Sequence, residues 1–132
     1  MRTNMTHLST GIDIIEIDRI RRLLADSEKQ RDEIFSAMEV EYCLKKTKNQ
    51  FQHFAARFAA KEALLKALGT GILTGFKLKD IEVENDGSGR PRINLYGKVK
   101  AAAESKGVRE ILVSLSHSSE YAVANVLLIS GE

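Results

Sequence analysis

The sequence predicts an α+β fold in which helices fill the first half and an antiparallel sheet fills the second half, with one helix intervening. Two observations predict it. Apolar residues recur at helical spacing up to about residue 68, and after residue 80 they alternate with polar residues as in strands. Turn-forming residues separate the alternating runs, as in hairpins. The 132 residues show no linker or repeat, so one domain spanning 1–132 is expected.

The helical half opens on a short strand. Leu8–Ile15 is rich in β-branched residues, and from Ile17 onward apolar positions recur at helical spacing. Ser36 followed three residues later by Glu39 is a capping-box pattern, in which each residue satisfies a backbone donor near the other. It predicts a helix from Ala37 to about Lys46.

The longest helix is predicted over Gln50–Leu68, where alanine, leucine and lysine dominate, and Gly69 and Gly71 end it. At roughly 100° per residue one stripe of this helix is apolar. Its members are Phe51, Phe54, Ala55, Phe58 and Leu65.

The second half is predicted to contain four strands and one helix. In chain order they are Asp80–Asn85, Arg92–Tyr96, the helix Gly97–Lys106, Ile111–Leu115 and Tyr121–Val123. A glycine-rich turn joins the first two strands into a hairpin, and two serines supply the reversal before the last strand.

Composition narrows the functional classes. A formal net charge of +2 argues against a strongly basic nucleic-acid binder, and no run reaches the roughly 18 apolar residues of a membrane helix. The one cysteine, Cys43, excludes an internal disulfide and favours a reducing compartment, so a cytoplasmic location without membrane or nucleic-acid partners is expected. Cys43 itself is predicted to serve packing.

Two carboxylates stand in apolar settings. Glu62 lies on the apolar stripe of the long helix, and Asp13 interrupts a run of isoleucines where the first strand meets a helix. Either carboxylate could have a purely structural role. Glu62 could lie where the stripe meets water or could pair with an arginine, and Asp13 could be a helix N-cap. Alternatively the two meet, and two carboxylates completed by water and substrate phosphates form a standard magnesium site.

Lys66 lies one helical turn after Glu62, so the two side chains share a face. It is either an ordinary surface ion pair or a cation that stabilises a metal-bound phosphate. Gly69, Gly71 and Gly75 lack the spacing of a nucleotide-binding P-loop. The serines near His117 occur without the elbow motif of a hydrolase, so nucleophilic catalysis is not favoured.

Three segments together resemble the holo-acyl-carrier-protein synthase family, the small 4′-phosphopantetheinyl transferases. They are Gly11–Ile17, the long and specific run Phe54–Gly71, and Ser114–His117 followed by Tyr121–Ala124. They occur in the order typical of that family and span nearly the whole chain. Departures are minor: Ser9 stands where glycine is common, and a serine replaces the usual threonine at Ser36.

The resemblance implies the fold of that family and its reaction. A 4′-phosphopantetheine group passes from coenzyme A to a serine of apo-acyl carrier protein, giving the holo form and 3′,5′-ADP in fatty acid biosynthesis. It also implies that Asp13 and Glu62 bind Mg²⁺ and form a catalytic set with Lys66, which contacts the coenzyme A phosphates. The proton acceptor is left open between metal-bound water and a carboxylate such as Glu62.

Further coenzyme A contacts are implied by motif position at Arg57, Lys61, Gly69, Pro91, Ser116 and His117, with Pro91 bordering the adenine. The family also implies a homotrimer with active sites at subunit interfaces. Because carrier proteins are acidic, the basic cluster that follows Asp13 predicts carrier docking by Arg19 and Arg22.

Two other functions fit the residues taken alone. A non-catalytic module could bind an acidic protein or RNA through the basic patches, and a coenzyme A-binding protein could have lost the transfer reaction. The first leaves the apolar settings of Asp13 and Glu62 unexplained, and the presence of both carboxylates argues against the second.

Overall fold

Strands from the two ends of the chain lie side by side. The computed structural model describes residues 5–69 and 75–131. Its elements, in chain order, are β1 (His7–Glu16), α1 (Ile17–Asp26), α2 (Glu28–Ile34), α3 (Ala37–Leu44), α4 (Gln50–Leu68), a 3₁₀ turn (Leu78–Asp80), β2 (Ile81–Asn85), β3 (Pro91–Leu95), α5 (Gly97–Ser105), β4 (Val108–His117) and β5 (Tyr121–Ser130). The predicted α+β class is confirmed.

The strands form two antiparallel sheets. One has the order β1-β5-β4, and the other is the β2-β3 hairpin. The antiparallel strands of the second half are confirmed, but β1 was not predicted to join them. In the larger sheet Asp13 pairs with Ala124, and His117 pairs with Ala122. Because side chains alternate along a strand, Asp13 and His117 face the same side of this sheet.

Helix α4 packs across that side of the sheet, against β1 and β5. Small side chains let the backbones approach, and those fully buried on α4 include Ala55, Ala59, Ala60 and Ala63. The closest approach is at Gly11, where a Cβ atom would lie 2.7 Å from the backbone nitrogen of Ala67 and would also clash with the carbonyl of Ala63. A side chain there would push β1 away from the helix.

We therefore expect Gly11→Ala to lower the free energy of unfolding by about 1–3 kcal/mol, since overpacking against backbone cannot be relieved by a rotamer change. Gly87→Ala is the matched control, because a Cβ at Gly87 meets nothing within 4 Å. It should change stability by less than about 0.5 kcal/mol. Urea unfolding measures both, and equal midpoints and slopes would contradict this packing.

The predicted apolar stripe of α4 is only partly buried, because two of its members, Phe54 and Ala55, are buried and the other three are not. Phe51, Phe58 and Leu65 are half-buried, whereas alanines and two charged side chains, Arg57 and Lys61, are buried on the other faces. The helix has neighbours on several sides, so alanine carries much of its burial and the periodicity of large residues marks only part of its buried surface.

The first half contains one helix that the sequence did not predict. Helix α2 has no buried residue, so it lacks an apolar period that could reveal it. Ser27 begins it by accepting a hydrogen bond from the backbone nitrogen of Gln30 at 3.2 Å. The capping box of Ser36 and Glu39 at the start of α3 is confirmed, with both reciprocal hydrogen bonds present.

A buried ion pair ties α3 to α4. Lys61 Nζ lies 2.7 Å from Glu39 Oε1, and both side chains are completely buried. The other oxygen of Glu39 accepts from the backbone nitrogen of Val83 at 2.9 Å. Lys61 also donates to the carbonyls of Leu78 and Ile81 at 3.0 and 2.5 Å. The pair therefore joins α3, α4 and the start of β2 with its hydrogen-bonding groups satisfied.

Candidate active site

Two predicted carboxylates and a lysine meet where β1 crosses α4. Lys66 Nζ lies 3.1 Å from Asp13 Oδ1 and donates to the carbonyl of Ile12 at 3.0 Å. The Asp13 side chain is only 17% exposed, whereas that of Lys66 is 56% exposed. Lys66 thus reaches in from solvent towards Asp13. Lys66 therefore pairs with a carboxylate of β1, and is not limited to an ion pair with Glu62 on its own helix.

The electrostatics place Glu62 in the same cluster. Desolvation by its half-buried setting raises the pKa of Glu62, and the negative charge of Asp13 raises it further. The cations Lys66 and Arg19 act in the opposite direction. In their effect on the pKa of Glu62, burial and the neighbouring carboxylate outweigh the two cations. A further positive charge beside Glu62 would therefore stabilise its ionised form.

The alternative N-cap role of Asp13 is excluded. Asp13 lies within β1, and Glu16 is the residue that precedes α1, without a side-chain capping bond. Glu62 is half-buried, which agrees with the alternative that it lies where the apolar stripe meets water.

The cluster is suited to a hard cation whose remaining ligands are water molecules or substrate oxygens. Among residues 5–69 and 75–131 no group of three or more His, Cys, Asp or Glu side chains is placed to hold a metal. Two carboxylates suit Mg²⁺, which retains waters and takes substrate phosphate oxygens rather than a full protein cage. The donor set, the closeness of Asp13 and Glu62 and the raised pKa all agree with such an ion.

A second feature is a cavity of about 400 Å³ between α4, the hairpin turn and β4. Three residues predicted to contact coenzyme A line it: Arg57, Pro91 and His117. Sequence reasoning did not single out three further polar residues of its wall, which are His53, Asn85 and Arg90. His53 precedes Arg57 by one helical turn, and that spacing could have revealed it.

Arg57 lies in this wall and is almost completely buried, at 2% exposed. Its guanidinium carbon lies 4.3 Å from the centre of the Tyr42 ring, and Nη2 donates to Asn85 Oδ1 at 2.5 Å. Its Nε has no hydrogen-bond partner among the described residues. The contacts named here are to neutral groups, so the positive charge of Arg57 can attract an anionic ligand into the cavity that it lines.

Lys61 does not belong to this site, and its predicted coenzyme A contact is wrong. Its ammonium is completely buried and donates to Glu39 and to two backbone carbonyls. An ammonium has three protons, and all three are used. The motif placed Lys61 beside Glu62 in sequence, but neighbours on a helix point about 100° apart.

The remaining predicted contacts are not gathered into this cavity. Strand alternation places Ser116 on the face of the sheet away from α4. Gly69 ends α4 in a left-handed conformation, φ 72°, with its N–H bonded to the carbonyls of Leu65 and Lys66. That conformation alone accounts for glycine there. Gly71 lies outside the described residues. Contacts of Ser116 and Gly69 with coenzyme A stay predictions.

The arginines of α1 lie on the surface beside the carboxylate cluster. Asp18 pairs with Arg21 at 3.0 Å and with Arg22 at 2.6 Å. Arg21 also lies over the Phe51 ring at 5.1 Å. The charge of Arg19 instead acts on Glu62. Arg19 and Arg22 are thus both exposed, with Arg19 adjoining the cluster.

Cys43 is excluded as a nucleophile. It is completely buried, and burial raises the pKa of its thiol to about 12. A thiol with so high a pKa has almost no reactive thiolate at neutral pH. The packing role predicted for it is confirmed.

Comparison with known proteins agrees with this geometry. The family model described as the 4′-phosphopantetheinyl transferase superfamily matches residues 9–126. A holo-[acyl-carrier-protein] synthase of Syntrophus aciditrophicus is 49% identical over 125 residues, which cover 94% of this chain and 96% of that protein. The enzyme of the same name from Caldanaerobacter subterraneus is 43% identical, over 92% and 94% of the two chains.

Solved structures show the same fold. The ACPS–CoA complex of Chronobacterium ammoniagenes has a TM-score of 0.84 and 30% identity, covering 96% of this chain and 99% of that one. The holo-(acyl-carrier-protein) synthase of Bacillus anthracis, in complex with CoA (3′,5′-ADP), has a TM-score of 0.75 and 37% identity over 92% and 96%. This chain therefore belongs to the 4′-phosphopantetheinyl transferase superfamily.

Proposed function

We propose that this protein is a holo-acyl-carrier-protein synthase, which transfers 4′-phosphopantetheine from coenzyme A to a serine of apo-acyl carrier protein. The relatives that cover almost the whole chain carry that name. The observation that carries the proposal is the cluster of Asp13, Glu62 and Lys66, because a cation-seeking carboxylate pair beside a lysine is what phosphoryl-type transfer needs.

Coenzyme A has chemical groups that suit both the cavity and the Asp13–Glu62–Lys66 cluster. Its adenosine end fits the cavity of Arg57 and His117, where Pro91 offers an apolar edge for the base. Its diphosphate fits the Asp13–Glu62–Lys66 cluster. Solved relatives described as CoA complexes support a coenzyme A site in this fold.

Asp13 and Glu62 would hold Mg²⁺, and when bound the ion supplies neutralisation of charge on the diphosphate oxygens. Lys66 adds a second positive charge beside them. The carrier serine oxygen forms a bond to the phosphorus attached to pantetheine, the diphosphate P–O bond breaks, and 3′,5′-ADP leaves with the bond electrons. The serine proton passes to Glu62 or to solvent water.

The assembly proposed is a homotrimer with sites shared between subunits. The sheet face away from α4 carries large exposed apolar side chains, namely Leu8, Ile12, Ile14, Leu112 and Tyr121. A contiguous apolar face of this kind favours burial against another subunit. Native mass spectrometry at micromolar concentration is expected to show three copies, and a monomer would contradict the assembly.

The carrier is proposed to dock on the exposed arginines of α1. In this arrangement Arg19 is the arginine that adjoins Glu62, and Arg22 extends the positive surface. Carrier proteins are acidic, so opposite charges would steer the encounter. The single buried cysteine agrees with a reducing, cytoplasmic location, and the reaction would serve fatty acid biosynthesis. None of the helices within 5–69 and 75–131 could cross a bilayer.

Arg19→Glu is expected to raise KM for the carrier about tenfold or more and to flatten its dependence on salt, because attraction becomes repulsion. KM for coenzyme A should change little. Arg109→Glu, at the start of β4, is the control for a surface charge reversal elsewhere. An unchanged carrier KM in Arg19→Glu would remove Arg19 from the docking surface.

Intact-mass spectrometry of an apo carrier incubated with this protein, coenzyme A and Mg²⁺ tests the proposed function. A gain equal to one phosphopantetheine arm, located on a serine by peptide sequencing, is expected. No gain with several apo carriers, while circular dichroism showed folded protein, would contradict it and favour a binding module.

A further inference from the structure

The cavity beside α4 has an unusual set of charges. Its lining includes the guanidinium groups of Arg57 and Arg90 and the imidazoles of His53 and His117, and none of the described residues that line it carries a carboxylate. Arg57 is almost completely buried and its Nε lacks a partner within the described part of the chain. The site is therefore built for an anion and has nothing of its own to neutralise these groups.

His53 is a member of this wall to which the proposed function gives no role. Its ring centre lies 6.2 Å from that of His117 on β4 and 5.7 Å from that of Tyr42 on α3. The charged groups that act on it are Arg57 on its own helix, Lys46 just after α3, and His117. Arg90, in the β2-β3 turn, faces the same cavity. Each of these neighbours is neutral or cationic.

In this setting His53 is held neutral. Desolvation, and then the charges of Arg57, Lys46 and His117, lower the pKa of His53 to about 4. A bound anion would act in the opposite sense, because a negative charge in the cavity stabilises the imidazolium form. A phosphate monoester brings up to two negative charges, and its second pKa is about 6.

We propose that His53 gains a proton when coenzyme A binds, through its 3′-phosphate monoester, and so makes the cavity select a doubly charged phosphate. The proposal rests on the proposed function, since coenzyme A is the ligand. The diphosphate is not the group concerned, because the Asp13–Glu62–Lys66 cluster provides for it. His53 is thus a specificity residue that contacts the nucleotide end and takes no part in the transfer itself.

The test compares coenzyme A with 3′-dephospho-coenzyme A, which differ only in the monoester, in the absence of a carrier so that no turnover occurs. The chain has three histidines, so NMR spectra of the imidazole protons can be assigned with His53→Gln and His7→Gln. His7 is exposed at the start of β1, away from the cavity, and is the internal control.

Without ligand, His53 should keep the chemical shift of a neutral ring down to pH 5. With saturating coenzyme A its titration should move upward by a unit or more and fall within pH 5–8, whereas 3′-dephospho-coenzyme A should leave it unprotonated. His53→Gln should reduce the preference for coenzyme A over the dephospho form by about tenfold, which corresponds to one pKa unit.

If coenzyme A perturbs His117 while His53 stays neutral and His53→Gln keeps the full preference, the role of His53 is overturned and the proposed function stands. If neither histidine responds to coenzyme A and no binding is detected by calorimetry, the coenzyme A site, and with it the proposed function, is overturned. An equal rise of the His53 pKa with both ligands would overturn the assignment to the 3′-phosphate.

Discussion

Glu62→Gln is expected to lower kcat/KM for carrier modification by about 10²–10³-fold, the usual cost of removing one group that stabilises charge in a transition state. Glutamine keeps the shape of Glu62 but removes the negative charge that, together with the charge of Asp13, would attract a cation. It is a weaker ligand for Mg²⁺ and cannot accept a proton. Initial rates of holo-carrier formation at fixed Mg²⁺ measure the effect.

The fold should tolerate this change, because Glu62 is half-buried at the edge of α4 and desolvation already opposes its charged form. Thermal unfolding should therefore shift little or upward. Glu33→Gln, an exposed carboxylate on α2, is the control and should keep full activity. Normal turnover by Glu62→Gln with Mg²⁺ present would end the assignment of Glu62 to the metal site.

Lys61→Met is expected to destabilise the protein by about 3–5 kcal/mol, since it leaves Glu39 as a buried charge without its partner. It also leaves the carbonyls of Leu78 and Ile81 without the lysine donor. Lys45→Met is the matched control, because Lys45 pairs with Glu41 at the surface, where both side chains are 73% exposed. It should cost no more than about 0.5 kcal/mol. Urea unfolding measures both.

A double-mutant cycle with Glu39→Gln separates the pair from its surroundings. If the ion pair carries the cost, the two changes together should cost clearly less than the sum of the single changes. Strict additivity, or a loss below about 1 kcal/mol for Lys61→Met, would show that the buried pair is not the link between α3 and α4.

The sequence predicted local structure well where a physical signal is local. The capping box at Ser36, the end of α4 at Gly69 and the alternation of the hairpin strands each depend on neighbouring residues, and the structure contains all three. Helix α2 was missed because it has no fully buried residue and so no apolar period. The place of β1 in the sheet was missed because pairing with β5 spans the whole chain and leaves no local pattern.

Some residues of the candidate site could likewise be predicted from the sequence, and others could not. Asp13 and Glu62 stood out because charged residues in apolar settings have a cost that invites an explanation, and Lys66 because it lies one helical turn after Glu62. The structure brings the three together. Lys61 was misassigned because its partner Glu39 lies 22 residues away and is reached only by folding. His53 was not assigned to the site because its place one helical turn before Arg57 was not used, and because the sequence does not show that α4 and β4 enclose a cavity.

The dependence of transfer on Mg²⁺ tests the metal site most directly. Initial rates of carrier modification are measured from chelated to millimolar Mg²⁺ for the wild type and for Asp13→Asn. We expect no transfer under chelation, saturation in the wild type, and a half-saturating Mg²⁺ concentration at least tenfold higher in Asp13→Asn, since neutralising one of two ligand charges weakens the site. Transfer that persists under chelation, or the same Mg²⁺ dependence in both proteins, would contradict a metal site at Asp13 and Glu62.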